Sequence, residues 1–318
     1  MTTHTPIGPG GISNSRHRPS MPVTLRPQRH SLSLSIHHAE ERMNPHTIAP
    51  TSFRSLVSSL WQHRKLILTM TKRDIAGRYR GSVLGLFWSF LNPVFMLLVY
   101  TFVFSVVFNA RWDVNDNETN TQFAVVLFSG LIVHGFLAEV LSKSPGLILG
   151  NTNYVKKVVF PLEVLPVIAL GSAIFHTLIS LLVLQVAYLV FTGVPPWTLI
   201  LAPLVFLPLA ILSLGVAWLL AALGVFLRDI GQIIGVLVTV LLFLSPIFFP
   251  VERLPEAYQG LIMLNPLTFI VEQAREVLIW GRLPNWQGLF LYALVSTGFT
   301  WCAYICFQKV RKGFADVL

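Results

Sequence analysis

The 318-residue sequence is short of charge: 12% of its residues are Asp, Glu, Lys or Arg, while 54% are hydrophobic. Soluble globular domains carry about 25% charged residues, so the chain is read as an integral membrane protein, in line with a mean hydropathy of +0.67. Cysteine is scarcer still. Cys302 and Cys306 stand four apart in the last apolar segment, which implies no disulfide framework and suits small apolar side chains on one helix face. There is no GxxxxGK[ST] phosphate loop, so the chain cannot hydrolyse ATP by that route unaided. No His, Cys, Asp and Glu group has metal-ligand spacing, so neither a metal nor a cofactor bound by this chain is expected. The N-terminal region has no apolar core of a signal peptide. Pro, Ser and His dominate it, with Arg16, Arg18, Arg26, Arg29 and Arg42 among them. Residues 1–50 therefore read as a disordered tail, with Met43 expected to be the true start, and residues 51–318 as one membrane domain.

Six apolar segments meet or approach the length of about 20 residues that a spanning helix requires. They are Phe87–Phe108, Phe123–Leu141, Val164–Phe191, Leu199–Leu227, Ile233–Phe249 and Leu289–Phe307. Each is read as a helix, because lipid offers no partner for open backbone groups. The fifth is the weakest, being short and ending at SPIFFP, where Pro246 and Pro250 limit continuation. Loop charge orients the set. With both termini inside, the inner segments hold 14 of the 23 cations, the outer ones 4 and the tail 5. The cations fall between apolar segments and form no continuous patch, so the net charge of +9 does not point to nucleic acid.

The inner side carries a pre-span stretch, Phe53–Val83, whose apolar residues alternate with cations in the manner of an amphipathic interfacial helix. It also carries the loop Asn151–Pro166 and the tight turn Leu227–Gln232. Outside, Pro250–Gln287 is too polar to span and too apolar for a free loop, and reads as two short helices on or dipping into the outer leaflet. Gly77, Gly81 and Gly85 form either a flat packing strip or a hinge. His134 and His176 fall inside spans, as proton-relay groups or as neutral histidines bonded to a neighbouring helix. Glu139 and Lys143 are spaced for an i,i+4 pair. Trp88, Tyr100, Phe104 and Phe108 recur at multiples of four on the first span. Such a row drifts by roughly 40° per step, so it cannot face one channel throughout.

Three stretches, in order, resemble one family: RDIAGRYRGSVLGLFWSFLNPVFMLLVYTFVFSVVF (Arg73–Phe108), NYVKKVVFPLEVLP (Asn153–Pro166) and NPLTFIVEQAREVLIWG (Asn265–Gly281). This is the permease subunit of type-2 ABC exporters for O-antigen, capsular and teichoic-acid polysaccharides, and the resemblance runs from about Ser52 to the C-terminus. It implies an all-α integral membrane protein with six transmembrane helices, an N-terminal amphipathic interface helix and two short re-entrant outer helices before the last span. It further implies a homodimer with a channel at its interface in the bacterial cytoplasmic membrane, and two copies of a separate ATPase subunit that hold ATP and Mg. Carried over by position, Ser52–Arg80 and Asn151–Pro161 are the ATPase couplers, with Tyr154, Lys156, Lys157 and Phe160 as the docking surface. The substrate is a lipid-linked glycan. Arg73, Arg78 and Arg80 lie where guanidinium forks suit its diphosphate or, alternatively, anchor topology against anionic lipid. Trp88, Tyr100 and Phe104 are candidates for the glycan path.

Other classes fit less well. A stand-alone secondary transporter calls for inverted repeats or buried charge pairs, and no convincing repeat is visible. A membrane glycosyltransferase calls for grouped carboxylates, and Glu252, Glu256, Glu272 and Glu276 supply no clear acid–base pair. An ABC exporter of another lipid or a drug remains the alternative within the same class.

Overall fold

The computed structural model describes residues 52–108, 112, 120–156 and 160–318. The expected tail and the Met43 start lie outside them. Among the described residues the regular elements are all helical. In chain order these are α1 (Phe53–Gln62), α2 (Arg64–Arg78), α3 (Trp88–Tyr100, continued by π-helical turns over Thr101–Val107), α4 (Asn120–Lys143) and α5 (Thr152–Lys156). They are followed by α6 (Val164–Phe191), α7 (Ala202–Phe226), α8 (Ile230–Leu244), α9 (Glu256–Met263), α10 (Pro266–Arg275, with a π turn to Trp280), α11 (Trp286–Val310) and α12 (Phe314–Val317).

Among the described residues, five helical stretches are long and apolar enough to cross a membrane: Gly85–Phe104, Gln122–Gly146, Val164–Phe191, Trp197–Phe226 and Trp286–Val317. The fifth apolar segment of the sequence forms a helix of 15 residues, about 22 Å at 1.5 Å per residue, shorter than the hydrocarbon core of about 30 Å. It stops at Leu244 because Ser245 turns extended ahead of Pro246.

The pre-span stretch is two helices rather than one, broken at His63. Ser52 caps α1 by accepting from the Ser55 amide at 3.2 Å. Leu56, Leu60, Leu66, Ile67 and Met70 pack against the body of the protein, on a cluster that includes Phe160, Leu165, Trp218, Phe307 and Phe314, while Val57, Trp61 and Leu68 stay exposed. The corner that follows belongs to glycine. Gly81 and Gly85 adopt φ of 86° and 51°, in the left-handed region that L side chains avoid, and space is open around Gly77, Gly81 and Gly85. Within the described chain the strip forms the corner between α2 and α3 and packs against no other segment.

The bundle core is built on small residues, as helix association in lipid favours. The α7 face buries Ser213, Gly215, Ala217, Ala221 and Gly224, and α11 brings Ser296, Thr300 and Ala303. Thr300 Oγ1 donates to the Ile211 carbonyl at 2.7 Å. Gly224 lies so close to the turn after α4 that a Cβ there would overlap the Pro145 carbonyl oxygen. α7 and α11 run side by side in the same direction, with Ile211 beside Thr300 and Trp218 beside Tyr304, and α1 and the α11–α12 end meet in one cluster. That end carries most of the described cations.

Candidate functional site

At the cation-rich end, the last turn of α2 reaches the C-terminal part of α4 and the N-terminal half of α6. Glu139 on α4 is the centre: it accepts from Arg78 at 2.8 Å and from Lys143 at 3.2 Å. His176 Nδ1 on α6 lies 2.9 Å from the same carboxylate, and Tyr79 OH lies 3.3 Å from His176 Nε2. Burial, the largest cause, raises the Tyr79 hydroxyl above its usual pKa. One turn away, Asp74 accepts from Lys143 at 3.1 Å and from Ser172 at 2.6 Å. Two carboxylates and two cations therefore share a satisfied network across three helices, which a low-dielectric boundary makes costly to leave half-paired. The expected Glu139–Lys143 pair is present, enlarged by groups from distant segments. His134 donates to or accepts from nothing in this network; its Nε2 bonds the Val238 carbonyl of α8 at 3.0 Å, the ordinary reading of an intramembrane histidine.

Two cavities flank the network. One of about 510 Å³ is lined by Arg73, Asp74, Arg78, Lys143, Asn151 and Tyr154 among others. The second, about 420 Å³, is lined in part by Arg78, Tyr100, His134, Glu139 and His176. Arg73 and Arg78 thus come together, with Arg78 engaged by Glu139, while Arg80 is exposed beyond the end of α2.

The aromatic row divides. Trp88 is half-buried near the glycine corner, and Tyr100 reaches the smaller cavity. Phe104 instead joins an aromatic cluster with Tyr100, Phe108, Phe123 and Phe248, at centroid distances of 5.7 to 6.5 Å. In the loop after α4, Tyr154 and Phe160 stack at 4.5 Å and 14°, and Lys156 Nζ donates to the Leu318 carbonyl. Lys157 lies outside the described residues.

Sequence reasoning missed several residues. Asp74, Ser172 and Glu163 were not singled out, although a lone carboxylate in the apolar run FPLEVLP was a visible signal. Arg275 is one of the four outer cations, and its sequence neighbours mark it as nothing more. It is in fact 4% exposed and donates to the carbonyls of Pro246 at 2.7 Å and Ile247 at 3.1 Å. Its guanidinium sits 4.1 Å over the Trp112 ring. Burial pulls its pKa down to about 9, against the opposing charges of Glu272 and Glu252. It therefore closes the open backbone where α8 stops.

Long apolar helices packed through small residues, with charge gathered mostly at one end and in the short outer helices, define an all-α multi-pass membrane protein. Residues 65–279 match the family described as ABC-2 type transporter, and the chain belongs to that family. It is 30% identical over 263 residues to the O-antigen export system permease protein RfbA of Myxococcus xanthus, covering 82% of this chain and 98% of that protein. It is 25% identical over 254 residues to the protein of the same name from Klebsiella pneumoniae, covering 80% and 95%. With the polysialic acid transport protein KpsM of Escherichia coli it shares 24% identity over 227 residues, covering 70% and 85%.

Proposed function

We propose that the chain is the transmembrane permease subunit of an ATP-driven exporter that moves a lipid-linked, O-antigen-like polysaccharide across the bacterial cytoplasmic membrane. The observation that carries this reading is the alignment over 98% of the length of the Myxococcus O-antigen export permease, at 30% identity. The chain is not an enzyme in this reading: ATP and Mg reside in two copies of a separate ATPase subunit. These dock at the cation-rich end, which faces the cytoplasm together with both termini, as the loop charges favour. Tyr154, Lys156, Lys157 and Phe160, with α1 and α2, form the docking surface.

Six passes and a homodimer complete the proposal. The first long helix has only 11% of its apolar window buried, and α8 buries Ile234 alone, so these two helices offer faces to a second copy. The 15-residue α8 then spans with help from the extended stretch and the short outer helices α9 and α10. The lipid diphosphate approaches the cavity at Arg73 and Arg80, with Arg78 shared with Glu139, and the glycan passes Trp88, Tyr100 and Phe104. The test is deletion of the chain from its native strain and complementation with and without its ATPase. Surface glycan should vanish on deletion and return only with both proteins; unchanged surface glycan in the deletion strain overturns the reading.

A further inference from the structure

The stretch FPLEVLP places Glu163 just ahead of α6, 6% exposed. Each of its acceptors is used by a different part of the chain. Oε1 accepts from Ser59 Oγ of α1 at 3.1 Å. Oε2 accepts from Arg311, just past α11, at 2.9 Å. Its backbone carbonyl accepts from Trp218 Nε1 of α7 at 3.0 Å, and Trp218 is itself fully buried against Tyr304 of α11, ring centroids 5.2 Å apart. The second guanidinium nitrogen of Arg311 donates to the Phe160 carbonyl at 3.0 Å, and Phe160 carries the stack on Tyr154.

The Glu163 carboxylate thus ties the interfacial helix α1 to the C-terminal segment and, through Arg311, to Phe160 after α5, while its backbone carbonyl holds the end of α7 at the start of α6. Among the described residues its hydrogen-bond partners are Ser59 from α1, Trp218 from α7 and the cation Arg311. A carboxylate that is itself buried holds a cation and a hydroxyl firmly, because withdrawing either leaves its charge less compensated away from water. Displacing α1 or the loop must then move Arg311 and α7 with it, instead of being absorbed where it occurs. Coupling carried by a rigid hydrogen-bonded junction of this kind needs no long pathway.

We propose that Glu163 is a positioning residue that joins the two ATPase-facing elements, α1 and the stacked Tyr154–Phe160 pair, to the transmembrane helices, so that ATP-driven movement of either is delivered to α6, α7 and α11 as one displacement. This rests on the exporter reading above. It assigns no contact with substrate or nucleotide to Glu163.

The test uses the full chain assembled with its ATPase in lipid nanodiscs and proteoliposomes, comparing wild type, Glu163→Gln, Arg311→Gln and the double variant. Glutamine keeps the size and one acceptor while removing the charge. The expected result is assembly and ATP hydrolysis within about twofold of wild type, with export lowered about tenfold in Glu163→Gln and no further loss in the double variant. Export equal to wild type overturns the proposal, and so does a parallel loss of assembly, hydrolysis and export, which is what a purely structural role gives. A second readout does not depend on export: amide exchange of α1 in the full chain should rise in Glu163→Gln and in Ser59→Ala. Unchanged exchange in both removes the junction whatever the protein transports, whereas a wild-type complex that hydrolyses ATP without exporting glycan removes the exporter reading alone.

Discussion

At the scale of single residues, the outer segment shows how a charge that looks like loop decoration becomes structural. Arg275 is buried where α8 ends, bonded to two carbonyls and covered by Trp112. A lysine has a single point charge in place of a planar fork, so Arg275→Lys should lose at least one of these bonds. The expected cost is about 1.5–3 kcal/mol for a charge-assisted bond, read as a lowered melting temperature of the detergent-purified protein. Glu272, one turn earlier, behaves in the opposite sense. Burial, then Glu252, raises its pKa above the usual 4.5, with Arg275 opposing. A carboxyl whose folded pKa is raised contributes stability that is full below about pH 4.5 and lost as pH climbs through the folded value. Glu272→Gln should therefore raise the melting temperature at pH 7–8 and leave it unchanged at pH 4. An identical increment at both pH values would mean that packing, and not ionisation, is responsible.

At the scale of elements, close approach is decided by glycines other than those that form a motif in the sequence. The Gly77–Gly81–Gly85 strip borders open space and serves the corner between α2 and α3. The tight contact lies instead at Gly224 of α7, against the turn that follows α4. Backbone cannot retreat as a flexible side chain can, so Gly224→Ala should destabilise by about 1–3 kcal/mol through overpacking. Thermal unfolding and the yield of folded protein would measure it, and an unchanged melt would mean that α7 shifts freely. The short helix α5 and the loop after it form the other informative element. Reversing charge with Lys156→Glu and Lys157→Glu should impair export by about tenfold or more, since like charge replaces complementarity at a docking rim, while membrane insertion stays intact. Full surface glycan from a correctly inserted double variant would exclude this loop from coupling.

At the scale of the whole molecule, the long helices are unequally buried. The second long helix has 78% of its apolar window inside the chain, the first only 11%. A lipid-facing helix needs no protein neighbour, yet α3 and α8 together present Phe95, Val99, Val106, Val236 and Val240 on exposed faces. Single cysteines at Val106 or Val240, in a background with Cys302 and Cys306 replaced by serine, should yield disulfide-linked dimers when native membranes are treated with a copper–phenanthroline oxidant. A chain that exports glycan without ever crosslinking at either helix would contradict a channel between two copies.

Local and additive properties were legible without a structure. Hydropathy located the apolar segments and composition set the membrane class, because each residue contributes to transfer into lipid nearly independently of its distant neighbours. Three ordered stretches were enough to point to the exporter permeases, and the Glu139–Lys143 pair followed from helix geometry alone. Partnerships across helices were not legible. Asp74 with Lys143 and Ser172, Arg78 and His176 with Glu139, Glu163 with Ser59 and Arg311, and Arg275 with the end of α8 are separated by between 28 and 148 residues. They depend on how each helix is rotated and where it stops, which local periodicity does not encode. The cations in TKRDIAGRYRG could be assigned to one end of the bundle from sequence, but only tertiary packing decided that Arg78 answers a carboxylate on α4. The same packing made FPLEVLP a junction, because burying one charge obliges several elements to meet around it.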